Sequence, residues 1–147
     1  MVARSPYMYQ YAPALERYLG RYPLAAAPEI REVLFWSTDA LAGLRPTLTI
    51  DHEVVYSPPE LPGCTLIALK QLYSNHYTDG RLVLTAVVEQ DAPGDAAPGL
   101  YLLVVQRLHF DALPSGGLAN VRGGVIGKLR GSTVSRLREA RTGSVRA

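Results

Sequence analysis

Residues 66–76 (LIALKQLYSNH) and 82–89 (LVLTAVVE) flank residues 77–81 (YTDGR), and these three segments decide the fold that we expect. Both outer segments are rich in the apolar and β-branched residues that are typical of strands. Asp79-Gly80 is a dipeptide that often forms a two-residue hairpin turn, because both residues tolerate a positive φ. The sequence therefore predicts a β-hairpin with Asp79 and Gly80 at its turn.

The cross-strand pairs that this turn would create support the predicted register. Lys70 would lie opposite Glu89, and Ser74 opposite Thr85, and such pairs are favourable neighbours on a sheet. The other face of the hairpin would then be apolar and would carry four polar side chains, namely Gln71, Tyr73, Asn75 and Tyr77. An apolar surface with a few hydrogen-bonding groups is typical of a small-molecule pocket. We therefore predict that this face lines a cavity.

Two further predicted strands contribute polar groups to the same interior. Apolar and polar residues alternate in residues 47–56, which places His52 on the inward face. The same alternation in residues 100–111 turns Gln106 inward. Buried amides need partners or water, so we assign His52 and Gln106 to the predicted ligand pocket. His52 is the candidate catalytic acid or base, and the alternative is a core histidine bonded to a tyrosine or a backbone group.

His76 and Asp79 form a lesser candidate pair for proton transfer. A turn aspartate also has a structural reason for its position, because its side chain hydrogen-bonds the backbone nearby. Three histidines, at positions 52, 76 and 109, and the single Cys64 do not have the spacing of a metal site. We therefore expect neither a metal nor another cofactor.

Helix signals lie on both sides of the strands. Residues 13–19 and 28–41 each begin with proline and are followed by glycine, an asymmetry typical of helices. After Leu118 the apolar spacing becomes helical again, and Val125 and Leu129 fall within one stripe. The sequence therefore predicts two N-terminal helices and a long C-terminal helix that covers the sheet.

These elements together define an α+β domain with an antiparallel curved sheet and a cavity beneath the C-terminal helix. Their order resembles the START-like helix-grip fold, and that resemblance implies a hydrophobic cavity between the sheet and the last helix. Residues 70–79 (KQLYSNHYTD) are also similar to a segment of uncharacterised bacterial proteins, which implies no activity. A cystatin-like or closed-barrel arrangement is the alternative.

Charge is distributed unevenly along the chain, whose formal net charge is +2. Residues 119–147 contain seven lysines or arginines and one acid, so the remainder of the chain is acidic. A basic tail is typical of contact with anionic surfaces, and the alternative is a solvated helix face beside the protein's own acidic body. Nucleic acid is disfavoured as a partner, because no aromatic residues are interspersed with these basic ones.

Composition indicates a folded chain, with 48% hydrophobic and 19% charged residues among 147. We expect a single domain over residues 1–147, in which residues 112–147 form the C-terminal basic helix and tail. The longest uninterrupted apolar run, residues 100–105, is far shorter than the ~20 residues of a transmembrane helix. Residues 1–20 lack the pattern of a signal peptide, which predicts a cytoplasmic location. A homodimer is compatible with the sequence.

Three functions remain open at this stage. The first is binding of a hydrophobic or aromatic small molecule in the cavity. The second is a cofactor-free enzyme (a cyclase, isomerase, dehydratase or hydrolase) that uses the same cavity, with His52 as acid or base. The third is an anionic-surface-binding module that works through the basic C-terminal helix. The fold cannot separate the first two, because the same fold hosts many functions.

Overall fold

A computed structural model describes residues 10–23, 29–39, 45–90, 99–110 and 121–144. Within these ranges the elements are α1 (Pro13–Arg21), β1 (Arg31–Asp39), β2 (Thr47–Tyr56), β3 (Cys64–Ser74), β4 (Thr78–Gln90), β5 (Gly99–Phe110) and α2 (Val121–Ser144). The five strands form one antiparallel sheet in which they follow each other in chain order. β1 and β5 are therefore the edge strands.

Helix α1 covers one face of the sheet, which we call the α1 face. Pro13 occupies the first turn of the helix, where its missing N–H costs no hydrogen bond. Leu15, Tyr18 and Leu19 are buried on the side of the helix that meets the sheet. The core that they form with the strands also contains Ile30, Val54, Tyr56, Ala68 and Leu82. The predicted first helix and the strand at residues 47–56 are thus confirmed.

The predicted second helix at residues 28–41 is wrong, because β1 occupies this segment and pairs with β2 along its whole length. The run Val33-Leu34-Phe35-Trp36 is made of residues that favour strands. The helix was predicted from the proline at its start and the glycine beyond its end, but short apolar runs are ambiguous between helix and strand. The predicted fold class is wrong for this reason: the element order that resembled the helix-grip fold does not occur.

The predicted hairpin register is also wrong. Lys70 lies opposite Leu82, seven residues away from the predicted partner Glu89. Because side chains alternate between the two faces, a shift by an odd number exchanges the faces of one strand relative to the other. Lys70 therefore lies on the α1 face, whereas Gln71 lies on the opposite face beside Asp51.

The turn between β3 and β4 lies before Asp79 rather than at it. It is formed by Asn75, His76 and Tyr77, and Tyr77 adopts a left-handed φ of 64°. Within it the N–H of Thr78 donates to the carbonyl oxygen of His76 at 2.8 Å, which makes a γ-turn centred on Tyr77. Asp79 instead lies at a β-bulge where β4 pairs with β5. The Asp-Gly pair thus lies at a bulge, where β4 has one residue more than β5 between two paired positions.

Helix α2 lies beside the edge strand β5, on the sheet face opposite to α1. All of its side chains that the structure describes are at least partly exposed. The side chains of α2 that approach the sheet do so near Val104 and Leu108 of β5. The C-terminal helix therefore does not cover the core, which is buried under α1.

The buried core predicts a large stability cost for shortening a side chain of α1. Leu19 is fully buried, so Leu19→Ala should lower the free energy of unfolding by about 2–4 kcal/mol. Leu103→Ala is the matched control, because Leu103 is 61% exposed, and it should change this free energy by less than about 0.5 kcal/mol. Urea unfolding of both variants measures the difference. Equal effects would show that α1 is not part of the core.

The glycines of α2 predict a stabilising substitution. No described atom lies within 4 Å of the Cβ that an alanine would add at Gly127. Gly127→Ala should therefore raise the free energy of unfolding of α2 by about 0.5–1 kcal/mol, because alanine favours the helix more than glycine does. Gly63→Ala is the contrasting variant and should destabilise, because Gly63 has a φ of 73°. Helicity followed by circular dichroism on heating tests both, and a destabilised Gly127→Ala would mean that something packs on this face.

Candidate functional site

The candidate site is a groove between β5 and α2, which we call the β5–α2 groove. Its volume is about 530 Å³, within the range of small-molecule pockets. Strand β5 and helix α2 supply its lining residues, which are Val104, Gln106, Leu108, Phe110, Ile126, Leu129, Arg130, Thr133 and Val134.

Local structure explains why these residues face one another. On β5 the lining side chains are two residues apart, as expected for one face of a strand. On α2 they recur three and four residues apart, as expected for one face of a helix. The sequence pattern predicted that Leu129 lies on the apolar stripe of α2 and that Gln106 of β5 points inward. In the structure both residues line the same groove, and the strand that forms its sheet side is the edge strand β5.

Three polar side chains interrupt the apolar lining. The hydroxyl of Thr133 donates to the carbonyl oxygen of Leu129 at 2.9 Å, and it lies 3.5 Å from Oε1 of Gln106. The second distance is at the outer limit of a hydrogen bond. Arg130 precedes Thr133 by three residues, so both belong to the same side of the helix. Neither Nε2 of Gln106 nor the guanidinium of Arg130 has a hydrogen-bond partner among the described residues.

Of the six residues predicted to line a pocket, Gln106 is the one that lines this groove. The other four polar side chains of the hairpin lie elsewhere. Tyr73 is 49% exposed beside Ile50. Asn75 accepts a hydrogen bond from the N–H of Leu48 through Oδ1 at 2.9 Å. The hydroxyl of Tyr77 accepts one from the N–H of Arg45 at 3.2 Å.

Gln71 belongs to a buried polar cluster on the face opposite α1. It donates through Nε2 to the carbonyl oxygen of Thr78 at 3.2 Å. Its cross-strand neighbour Asp51 is fully buried and accepts at Oδ2 from Arg81 at 2.7 Å and from Thr49 at 2.8 Å. A buried carboxylate requires such charged and neutral donors. The cluster therefore accounts for Gln71 as a structural group.

His52, the sixth predicted residue, lies in the core beneath α1. It is fully buried, and its ring stacks on Tyr22 with the ring centres 3.9 Å apart. His52 Nε2 lies 2.6 Å from Oε2 of Glu32, and the hydroxyl of Tyr18 donates to the same oxygen. His52 is thus a core histidine, and its partner is the carboxylate of Glu32. In this arrangement a substrate does not reach its ring.

The electrostatics of this cluster follow from its hydrogen bonds. Donation by Tyr18 and His52 holds the pKa of Glu32 below its ordinary value. Burial, reinforced by the hydrogen bond to Glu32, raises the pKa of Tyr18 to about 12. Nearby, Lys70 donates to the carbonyl oxygen of Leu19 near the end of α1 at 2.7 Å, and burial lowers the pKa of Lys70. These groups attach the helix to β1, β2 and β3.

The lesser candidate pair does not form, because His76 does not contact Asp79. The carboxylate of Asp79 lies 2.6 Å from Nδ1 of His109 instead, at an exposed position beside the bulge. The residues that the structure describes contain no group of three histidines, cysteines or acids able to hold a metal ion. The absence of a metal requirement stays a prediction.

Three polar residues were not assigned to any site from the sequence. Glu32 contacts His52, and Arg130 and Thr133 line the β5–α2 groove. Glu32 lay in the segment that was interpreted as a helix. A strand interpretation of that segment would have placed Glu32 on the face of Leu34 and therefore near His52. Arg130 was counted with the basic helix, where nothing in the spacing distinguishes it from other arginines.

Comparisons with known proteins add no assignment: no family model, no curated protein and no solved structure matches this chain. The resemblance to START-like proteins thus has no support from them. Among the described segments, no helix is both long enough and apolar enough to cross a bilayer.

The lowered pKa of Glu32 predicts a pH-dependent contribution to stability. Its carboxylate stabilises the fold at pH values above the unfolded-state pKa, and the stabilisation is lost as the pH falls through the lower folded-state pKa. Wild type should exceed Glu32→Gln by about 1 kcal/mol in unfolding free energy near neutral pH, because a side chain that is 42% exposed is partly screened. Urea unfolding at several pH values should show this advantage shrinking below roughly pH 4.5.

Glu89→Gln is the control for that experiment. It removes the same charge from an exposed residue near the end of β4 and should differ little from wild type at any pH. A Glu32→Gln variant whose stability deficit did not change with pH would contradict the proposed role of the carboxylate.

Proposed function

We propose that this protein binds a hydrophobic small molecule in the β5–α2 groove. The single observation that carries the proposal is the groove itself, with six apolar side chains and three polar ones around about 530 Å³. Sites of this size and composition are typical of small-molecule binding. Contact with apolar carbon would supply the affinity, and the polar groups would orient the ligand.

Exposure of the surrounding surface supports the same proposal. On the face of β5 that carries the groove, Leu102 is 41% exposed, and Val134 of α2 is 45% exposed. An apolar patch of this kind on a protein surface commonly marks an interaction site. A ligand in the groove would remove part of this surface from water, at about 25 cal/mol for each Å² of apolar area buried.

The enzyme alternative has less support from the geometry. Its candidate base, His52, is enclosed by Tyr22 and bonded to Glu32 on the α1 face. The β5–α2 groove lies on the opposite face, and its described lining residues include no histidine or carboxylate. A general base must come within hydrogen-bond reach of the proton that it removes. We therefore place binding ahead of catalysis.

The test uses the neutral fluorescent probe N-phenylnaphthylamine. Its fluorescence should rise on titration with the wild-type protein, and Leu129→Asp should weaken its binding by at least about tenfold, because the probe would then have to desolvate a carboxylate. Ser132→Asp is the matched control: it adds the same charge to an exposed residue of α2 that does not line the groove, and it should bind like wild type.

Thermal unfolding of both variants accompanies the titration, since Leu129 lies outside the buried core and both should fold. Ile126→Asp provides a second groove variant and should reproduce the effect of Leu129→Asp. Probe binding that is unchanged in both groove variants would place the binding site elsewhere and refute the proposal.

A further inference from the structure

The charge of the β5–α2 groove restricts the ligands that it can accept. Among the lining residues that the structure describes, Arg130 is the one that carries a charge, and none is an aspartate or a glutamate. A guanidinium presents parallel N–H donors whose spacing matches the two oxygens of a carboxylate. A cationic ligand would instead meet an uncompensated positive charge. The groove is therefore complementary to an anion that also carries an apolar body.

The uncharged polar groups near Arg130 are consistent with an acceptor on the ligand. The contact of Gln106 with Thr133 involves Oε1, and its donor Nε2 has no acceptor among the described residues. The hydroxyl of Thr133 already donates to the backbone of Leu129, so it offers mainly its lone pairs and a weak contact to Gln106. Arg130 and Gln106 thus present N–H donors to the groove, and these would be satisfied by the oxygens of a carboxylate.

The remaining lining sets the character of the ligand's body. Leu108 and Phe110 extend the groove along β5, and Ile126 extends it along α2. Most of the lining side chains therefore cannot hydrogen-bond to a ligand. Groups that cannot hydrogen-bond are preferred there, because a polar group would lose its water without compensation. A flexible alkyl chain fulfils this requirement.

We propose that the β5–α2 groove selects single-chain amphiphiles with a carboxylate head group, which Arg130 binds with help from Gln106 while the alkyl chain lies against the apolar wall. This inference rests on the proposed function, since it specifies the ligand of the same groove. The occupant is a single dissolved molecule and not a membrane, because the described lining residues form one groove with one cation, Arg130.

The experiment displaces N-phenylnaphthylamine with three probes that share a twelve-carbon chain: dodecanoate, dodecanol and dodecyltrimethylammonium, each below its micelle concentration. Dodecanoate should bind about tenfold more tightly than dodecanol, and the ammonium probe should bind most weakly. Arg130→Gln should abolish the preference for dodecanoate and leave dodecanol affinity within about twofold of wild type.

Arg138→Gln is the matched control, because Arg138 is an exposed arginine of α2 that does not line the groove, and it should keep the preference. An equal loss in Arg138→Gln would show that the net charge of the helix attracts the anion, which would overturn the proposal. So would a wild-type protein that binds dodecanol as tightly as dodecanoate. If none of the three probes displaced N-phenylnaphthylamine, or if that probe did not bind, the proposed function itself would fail.

Discussion

The pairing of β3 with β4 is the constraint on which the rest of the structure depends. It sets Lys70 opposite Leu82 and so turns Lys70 toward α1, where it donates to the carbonyl oxygen of Leu19. The next residue, Gln71, is turned to the other face, into the cluster around Asp51. Because each strand transmits its register to the next, the same pairing decides that Gln106 of β5 faces α2.

The two faces of the sheet are stabilised differently, and this difference creates the groove. On the α1 face, apolar packing and the carboxylate of Glu32 attach a short helix tightly over the central strands. On the opposite face, buried polar groups occupy the centre, so α2 lies over the edge instead. A helix beside an edge strand cannot close the space next to it as completely as one that packs over a central strand, and a lined groove remains.

This arrangement separates the buried ionisable side chains from the open groove. The buried imidazole of His52 pairs with a carboxylate and the buried carboxylate of Asp51 pairs with a guanidinium, so both serve the fold. The described lining of the β5–α2 groove is mostly apolar, and Arg130 is the cation within it. Perturbed pKa values often mark functional sites, but structural networks perturb them too. The lowered pKa of Glu32 has such a structural cause. Its two hydrogen-bond donors are Tyr18 of α1 and His52 of β2, the elements that Glu32 connects.

The candidate site was predictable in part. The two-residue alternation of β5 placed Gln106 on the sheet face that lines the groove, and helical spacing placed Leu129 on the helix stripe that lines it. The four hairpin side chains that were predicted to line the pocket do not line the groove. Their predicted positions depended on a turn at Asp79 and Gly80, and the turn lies before Asp79 instead. Arg130 could not be distinguished from the other arginines of α2 by spacing, since only its neighbours in space make it a groove residue.

The sequence by itself determined α1, four of the five strands and α2, because these segments have unambiguous periodicity, or proline where a helix begins. It did not determine β1 or the β3–β4 register. β1 forms because its backbone pairs with β2, which outweighs a local spacing compatible with a helix. The register follows from a turn closed by Thr78 and His76, and from a bulge at Asp79 that requires β5 as a partner. Only tertiary structure could decide these features, because each depends on contacts with a distant strand.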